Sequence, residues 1–107
     1  MEAKTFQEWV ERYYESRKWS DFDIFKRIGF LTEETGEVAR AIRALEIGRD
    51  REDEDVQEKS IQHQALKEEL GDVLGNIMAI ATHYEMDIGE IFESHVEKLN
   101  ARYQKKE

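Results

Sequence analysis

An all-α domain folded as a four-helix bundle is predicted by three features: four amphipathic stretches, the absence of proline, and abundant Ala, Leu, Glu, Lys, Arg and Gln. The first helix is expected to start at Thr5, where Thr5-x-x-Glu8 has the form of a capping box, and to carry Phe6, Trp9, Val10 and Tyr13 on its apolar face. Ser20 with Asp23 marks the N-cap of a long second helix, which runs to about Ile47 and is stopped by Gly48. Its core stripe is Ile24, Ile28, Leu31, Val38, Ile42 and Leu45, spaced by threes and fours, with Thr35 filling one place. Residues 49–59, RDREDEDVQEK, are almost wholly charged and read as an exposed loop or a frayed helix end. A third helix is expected over roughly 60–84, burying Leu66, Leu70, Val73, Leu74, Ile77, Ile80, Ala81 and Tyr84. Asp87 and Glu90 then cap a fourth helix bearing Ile88, Ile91, Phe92, Val96, Leu99 and Tyr103.

At 107 residues the chain has room for a single core, so residues 1–107 read as one domain. One copy buries a modest core, and apolar flanks on the first two helices favour a homodimer or a larger assembly. With no cysteine, disulfides and thiolate zinc sites are excluded, and a reducing cytoplasmic setting fits. No N-terminal stretch resembles a signal peptide, and no segment is long enough to span a bilayer. A formal net charge of −9, with no basic stripe to override it, argues against a nucleic-acid polymer as partner. A small phosphorylated substrate remains compatible, because a bound cation reverses the local sign.

Two acidic clusters, Glu33-Glu34-Thr35-Gly36-Glu37 and Glu69-Leu70-Gly71-Asp72, carry the chemistry. Glu34 with Glu37, and Glu69 with Asp72, stand at i, i+3, the spacing that puts both carboxylates on one helix face. On the second helix Phe30, Glu34, Glu37, Ala41 and Ala44 form a flank beside the core stripe; on the third, Glu69, Asp72, Asn76, Ala79 and His83 do the same. Acids on such half-apolar flanks, repelling one another, suit a hard divalent cation such as Mg²⁺, which takes oxygen ligands and leaves positions for water and phosphates. Close approach of the second and third helices is expected to explain Gly36 and Gly71, each inside a cluster. A chain with 25 acidic residues also produces i, i+3 acidic pairs by chance, so a purely solvated pair of helix faces is the competing reading.

On the fourth helix His95, Lys98 and Arg102 share an edge with Ile91, and a lysine and arginine one turn apart suit a polyphosphate. The same cations would equally favour the helix dipole at a solvated C-terminus. Trp19, in the connection between the first two helices, is the aromatic placed to wall a pocket, whereas Trp9 and Tyr13 read as core. His83 is a candidate outer partner of the acids. None of the three histidines follows a glutamate by three residues, which argues against a carboxylate-bridged di-iron protein.

These residues resemble the MazG-like nucleoside triphosphate pyrophosphohydrolases of the all-α NTP pyrophosphatase superfamily. The family pattern E-E-x-x-E followed by E-x-x-D is matched by Glu33, Glu34 and Glu37, then Glu69 and Asp72, and the likeness runs from about Ile28 through Tyr103. The linker between the two motifs is longer than in a typical member. The resemblance implies that Glu34, Glu37, Glu69 and Asp72 ligate Mg²⁺, with Mn²⁺ as a substitute, and that Glu33 orients or deprotonates water beside the metal. It further implies that Lys98 and Arg102 contact a triphosphate and that Asn76 contacts substrate. The implied activity is hydrolysis of an NTP or dNTP to the monophosphate and pyrophosphate, serving nucleotide-pool house-cleaning, in dimers or dimers of dimers. Phosphoribosyl-ATP pyrophosphohydrolase, with a related fold and motif, is the nearest enzymatic alternative, and a non-catalytic helical interaction module is the alternative from another class.

Overall fold

The computed structural model describes residues 1–48 and 58–103. Among the described residues there are four helices, α1 (Ala3–Ser16), α2 (Ile24–Glu46), α3 (Lys59–His83) and α4 (Ile88–Tyr103), with a short 3₁₀ turn at Trp19–Asp21. Among the described residues there is no strand, so the expected all-α class holds. Of the charged segment 49–59, positions 49–57 lie outside the described residues, and Lys59 already begins α3. No helix among the described residues is long and apolar enough to cross a membrane.

The helix boundaries follow local chemistry. α1 begins two residues before the expected start, with Glu2 at the N-cap and no side-chain cap, so the Thr5–Glu8 box lies inside the helix and caps nothing. Ala3 and Lys4 are good helix formers, and the Phe6 N–H donates to the Glu2 carbonyl at 3.0 Å. Past Arg17 the chain turns through Lys18 in the left-handed region (φ 63°) into the 3₁₀ turn, which contains Ser20. Asp23 alone therefore caps α2, its Oδ1 accepting from the Lys26 N–H at 2.9 Å. Gly48, at φ 84°, ends α2 as expected, its N–H returning to the Ala44 carbonyl at 3.1 Å. Glu85 makes the corresponding turn after α3 at φ 57°, and the Met86 N–H closes onto the Ala81 carbonyl at 2.8 Å. Asp87 then caps α4 through Oδ2 and the Gly89 N–H, 3.0 Å apart.

The chain divides into two compact units, Met1–Phe22 with Met78–Glu107, and Asp23–Ile77. In the first, Val10, Met78 and Ile88 form a buried core, flanked by Ala3, Phe6, Tyr14, Ala79 and Ile91. The buried stripe of α1 is thus Ala3, Phe6, Gln7, Val10 and Tyr14, rotated from the expected face. Trp9 and Tyr13 are partly exposed and stack on each other at 4.9 Å between ring centroids. Gln7 reaches the inside because its amide is fully used there. Nε2 donates to the Met86 carbonyl at 2.8 Å, and Oε1 accepts from the Ile88 N–H at 2.9 Å, bracing the α3–α4 turn. At the rim Lys4 pairs with Asp87; this hydrogen bond holds the Asp87 carboxyl below and the Lys4 ammonium above their ordinary values.

In the second unit α2 and α3 run antiparallel. Arg27 meets Asn76, Gln62 Nε2 donates to the Ala44 carbonyl at 3.1 Å, and Lys59 Nζ to the Leu45 carbonyl at 2.8 Å, so partners on α3 fall in number as those on α2 rise. The expected core stripes are unevenly covered: Leu31, Val38, Leu45, Leu66 and Val73 are partly buried, whereas Ile28, Ile42, Leu70 and Leu74 are each close to half exposed. Phe92, Val96 and Tyr103 of α4 are likewise exposed. The expected close approach at the glycines is not found. A Cβ built at Gly36 or Gly71 would meet nothing within 4 Å, and both positions face outward.

Candidate metal centre

Glu34 lies two turns after Arg27 on α2, and Glu69 and Asp72 lie one turn apart on α3, so the antiparallel register of the second unit brings the three to one level. One carboxylate oxygen from each falls within 4.8 Å of the others. Glu34 and Glu69 are half-buried and Asp72 is exposed. The Glu34 carboxyl is pushed above its ordinary value of 4.5, chiefly by burial, then by the charges of Asp72, Glu69 and Glu33 and by a hydrogen bond with Asp72. Three hard oxygen donors so crowded that one resists ionising are a donor set that a small divalent cation fits, since its charge removes the repulsion.

Glu37 lies one turn beyond Glu34, half-buried, with its carboxylate outside the three-residue group. Glu33 is exposed beside Glu34. Asn76 is 6% exposed, and both ends of its amide are engaged within the protein rather than turned outward for a substrate. Its Oδ1 accepts from Arg27 Nη1 at 3.0 Å, and its Nδ2 donates to the Asp72 carbonyl at 2.9 Å. Arg27, only 8% exposed, did not stand out in the sequence. It sits in the polar run Lys26-Arg27 near the start of a helix, and only its spacing from Ile24 and Leu31, at three and four residues, signals the buried stripe.

The remaining candidates belong to the other unit. Trp19 packs edge-on against Tyr13 and Tyr14 at 5.8 and 5.2 Å, with the Arg17 guanidinium 5.4 Å from its ring centroid. Lys98 lines an open hollow of about 410 Å³ with Met86, Glu90, Ile91, Ser94 and His95. Arg102 is exposed near the end of α4, its guanidinium 6.0 Å from the Tyr103 ring. His83 is exposed at the end of α3 and packs edge-on against Tyr84.

Residues 26–106 match the MazG nucleotide pyrophosphohydrolase domain. The chain belongs to this family. The matched span includes both acidic motifs and all but the first residues of the hairpin that brings Glu34, Glu69 and Asp72 together. The MazG domain is also similar to the uncharacterized protein YvdC of Bacillus subtilis (strain 168), with 44% identity over 104 residues, covering 97% of this chain and 98% of the relative.

Proposed function

We propose that this MazG domain is a Mg²⁺-dependent nucleoside triphosphate pyrophosphohydrolase that cleaves the α–β anhydride of an NTP or dNTP, releasing the monophosphate and pyrophosphate. The observation that carries the reading is the meeting of Glu34, Glu69 and Asp72 from two helices within a MazG domain. Glu34, Glu69 and Asp72, joined by Glu37 from the next turn of α2, hold Mg²⁺, with Mn²⁺ as a substitute. The cation supplies charge neutralisation at the phosphate oxygens and lowers the pKa of bound water. Glu33, exposed next to Glu34, holds the attacking water and takes its proton. Water adds at the α-phosphorus, the bond to the bridging oxygen breaks, and pyrophosphate leaves. Positioning and electrostatics carry most of such a reaction, so no covalent nucleophile is needed. Lys98 and Arg102 offer positive charge to the triphosphate, and Trp19 offers a ring to the base. A homodimer or dimer of dimers is the working assembly, and removal of excess or noncanonical nucleotides in the cytoplasm is the setting.

The test is incubation of the purified chain with a panel of NTPs and dNTPs with Mg²⁺ or with EDTA, resolving pyrophosphate from orthophosphate. Pyrophosphate release that stops in EDTA is expected. Asp72→Asn should lower kcat by roughly two orders of magnitude or more, the scale reached when a catalytic electrostatic group is lost, while the far-UV helical signal stays. Cleavage confined to phosphoribosyl-ATP would move the substrate assignment. No pyrophosphate from any nucleotide, together with no Mg²⁺-dependent thermal shift, would leave a non-catalytic helical module.

A further inference from the structure

We propose that Arg27 and Asn76 form a positioning strut that sets the metal affinity of the carboxylate group; the inference rests on the metal-binding reading above. Both are buried, at 8% and 6% exposure, in a unit where no other described side chain is fully buried. Burying a guanidinium is costly unless its donors are satisfied. Here Nη1 donates to Asn76 Oδ1 at 3.0 Å, and the Phe30 ring lies 5.9 Å from the guanidinium carbon.

The direction of the chain of bonds matters more than its existence. Asn76 Nδ2 passes the connection on to the Asp72 carbonyl at 2.9 Å. A cation on α2 is thereby linked, through one amide, to the backbone of a carboxylate-bearing residue on α3. Glu34 lies on the same face of α2 as Arg27, about 10 Å farther along the helix axis. At the opposite end of the hairpin, Lys59 and Gln62 tie α3 to the last turn of α2. The carboxylates thus sit between two sets of ties, and their mutual repulsion pushes apart the helices that the ties hold. An apolar pair of similar volume would hold two helices together at least as well. It would not fix the rotation and register of α3 at Asp72, on which the spacing of the three oxygens depends.

The test is Mn²⁺ titration of the full chain, following free Mn²⁺ by electron paramagnetic resonance, alongside the thermal midpoint of each protein without added metal. The variants are Arg27→Met, Asn76→Leu, the two together, and Arg27→Lys. Each apolar single variant should bind Mn²⁺ about 10–100-fold more weakly, the range typical of lost outer-shell partners. The double variant removes both ends of the Arg27–Asn76 hydrogen bond together, so its thermal midpoint should return toward wild type. Its Mn²⁺ affinity should nevertheless stay low, and Arg27→Lys, which keeps the cation and a donor, should recover most of the lost affinity. A double variant that binds Mn²⁺ as tightly as wild type would overturn the strut while leaving the metal site intact. A wild-type chain that takes up no Mn²⁺ would overturn the metal reading itself.

Discussion

Glu34 concentrates the electrostatic conflict of the candidate centre in one carboxyl. Its folded-state pKa lies above the ordinary value of 4.5, first because it is partly buried and then because Asp72, Glu69 and Glu33 surround it. For an acid shifted in this direction, the stabilising contribution is complete below the unfolded-state value and is lost as pH rises through the higher folded-state value. Unfolding measured by urea in EDTA should therefore show Glu34→Gln matching wild type at acid pH and exceeding it at neutral pH. Saturating Mg²⁺ should raise the wild-type midpoint at neutral pH and leave that of Glu34→Gln nearly unchanged. A variant that is no more stable than wild type at neutral pH would show that the carboxylates do not strain the fold. The i, i+3 spacing of these acids was legible in the sequence because a helix converts spacing directly into a shared face. Which three of the acids converge was not legible, because that depends on rotamers and on the register between helices. Asn76 shares the acid flank with Asp72, one turn away, and was expected to contact substrate; its burial depends on a partner, Arg27, 49 residues distant along the chain.

Between helices, buried polar groups do much of the joining, and these are what an apolar pattern misses. Gln7 falls within the buried stripe of α1, yet its polarity disguised it; what admits it is the pair of backbone groups, Met86 C=O and Ile88 N–H, that the α3–α4 turn leaves open. Gln7→Leu keeps the volume and strands both groups, so it should destabilise the fold by about 2 kcal/mol or more. Chemical unfolding checks this, and an unchanged midpoint would mean that water replaces the amide. The α2 and α4 caps were readable because Asp23 and Asp87 act on N–H groups two or three residues away. The α1 box at Thr5 misled because a capping pattern inside a run of good helix formers need not be the end. The glycines give the clearest contrast. Gly36 and Gly71 suggested close packing, but each has open space where a Cβ would stand. Gly36→Ala and Gly71→Ala should therefore each stabilise the chain by about 0.5–1 kcal/mol through helix propensity. A loss of stability instead would mean that another copy of the chain packs against them.

That other copy is what the distribution of buried surface calls for. The fully covered apolar side chains, Val10, Met78, Ala81 and Ile88, all belong to the unit containing α1 and α4. Among the described residues of the Asp23–Ile77 unit, none of the apolar side chains is fully covered, and Phe25, Ile28, Ile42, Ile61, Leu70 and Leu74 expose roughly half of their surface or more. Two helices held by a few hydrogen bonds and carrying mutually repelling acids lack the burial that offsets the entropy of ordering them. A second hairpin laid against the first would supply it. Folding and association should then be coupled, and the thermal midpoint should rise with protein concentration as mass action requires. Sedimentation equilibrium should give a multiple of the 12.7 kDa chain mass. Ile28→Glu with Leu74→Glu should drive the population toward monomer and lower the midpoint together. The two readouts are needed jointly, because charged substitutions on a solvent-facing helix would leave both unchanged, whereas those in an intramolecular core would lower the midpoint without changing the mass. A species of 12.7 kDa whose midpoint is independent of concentration would show that the hairpin folds without a partner.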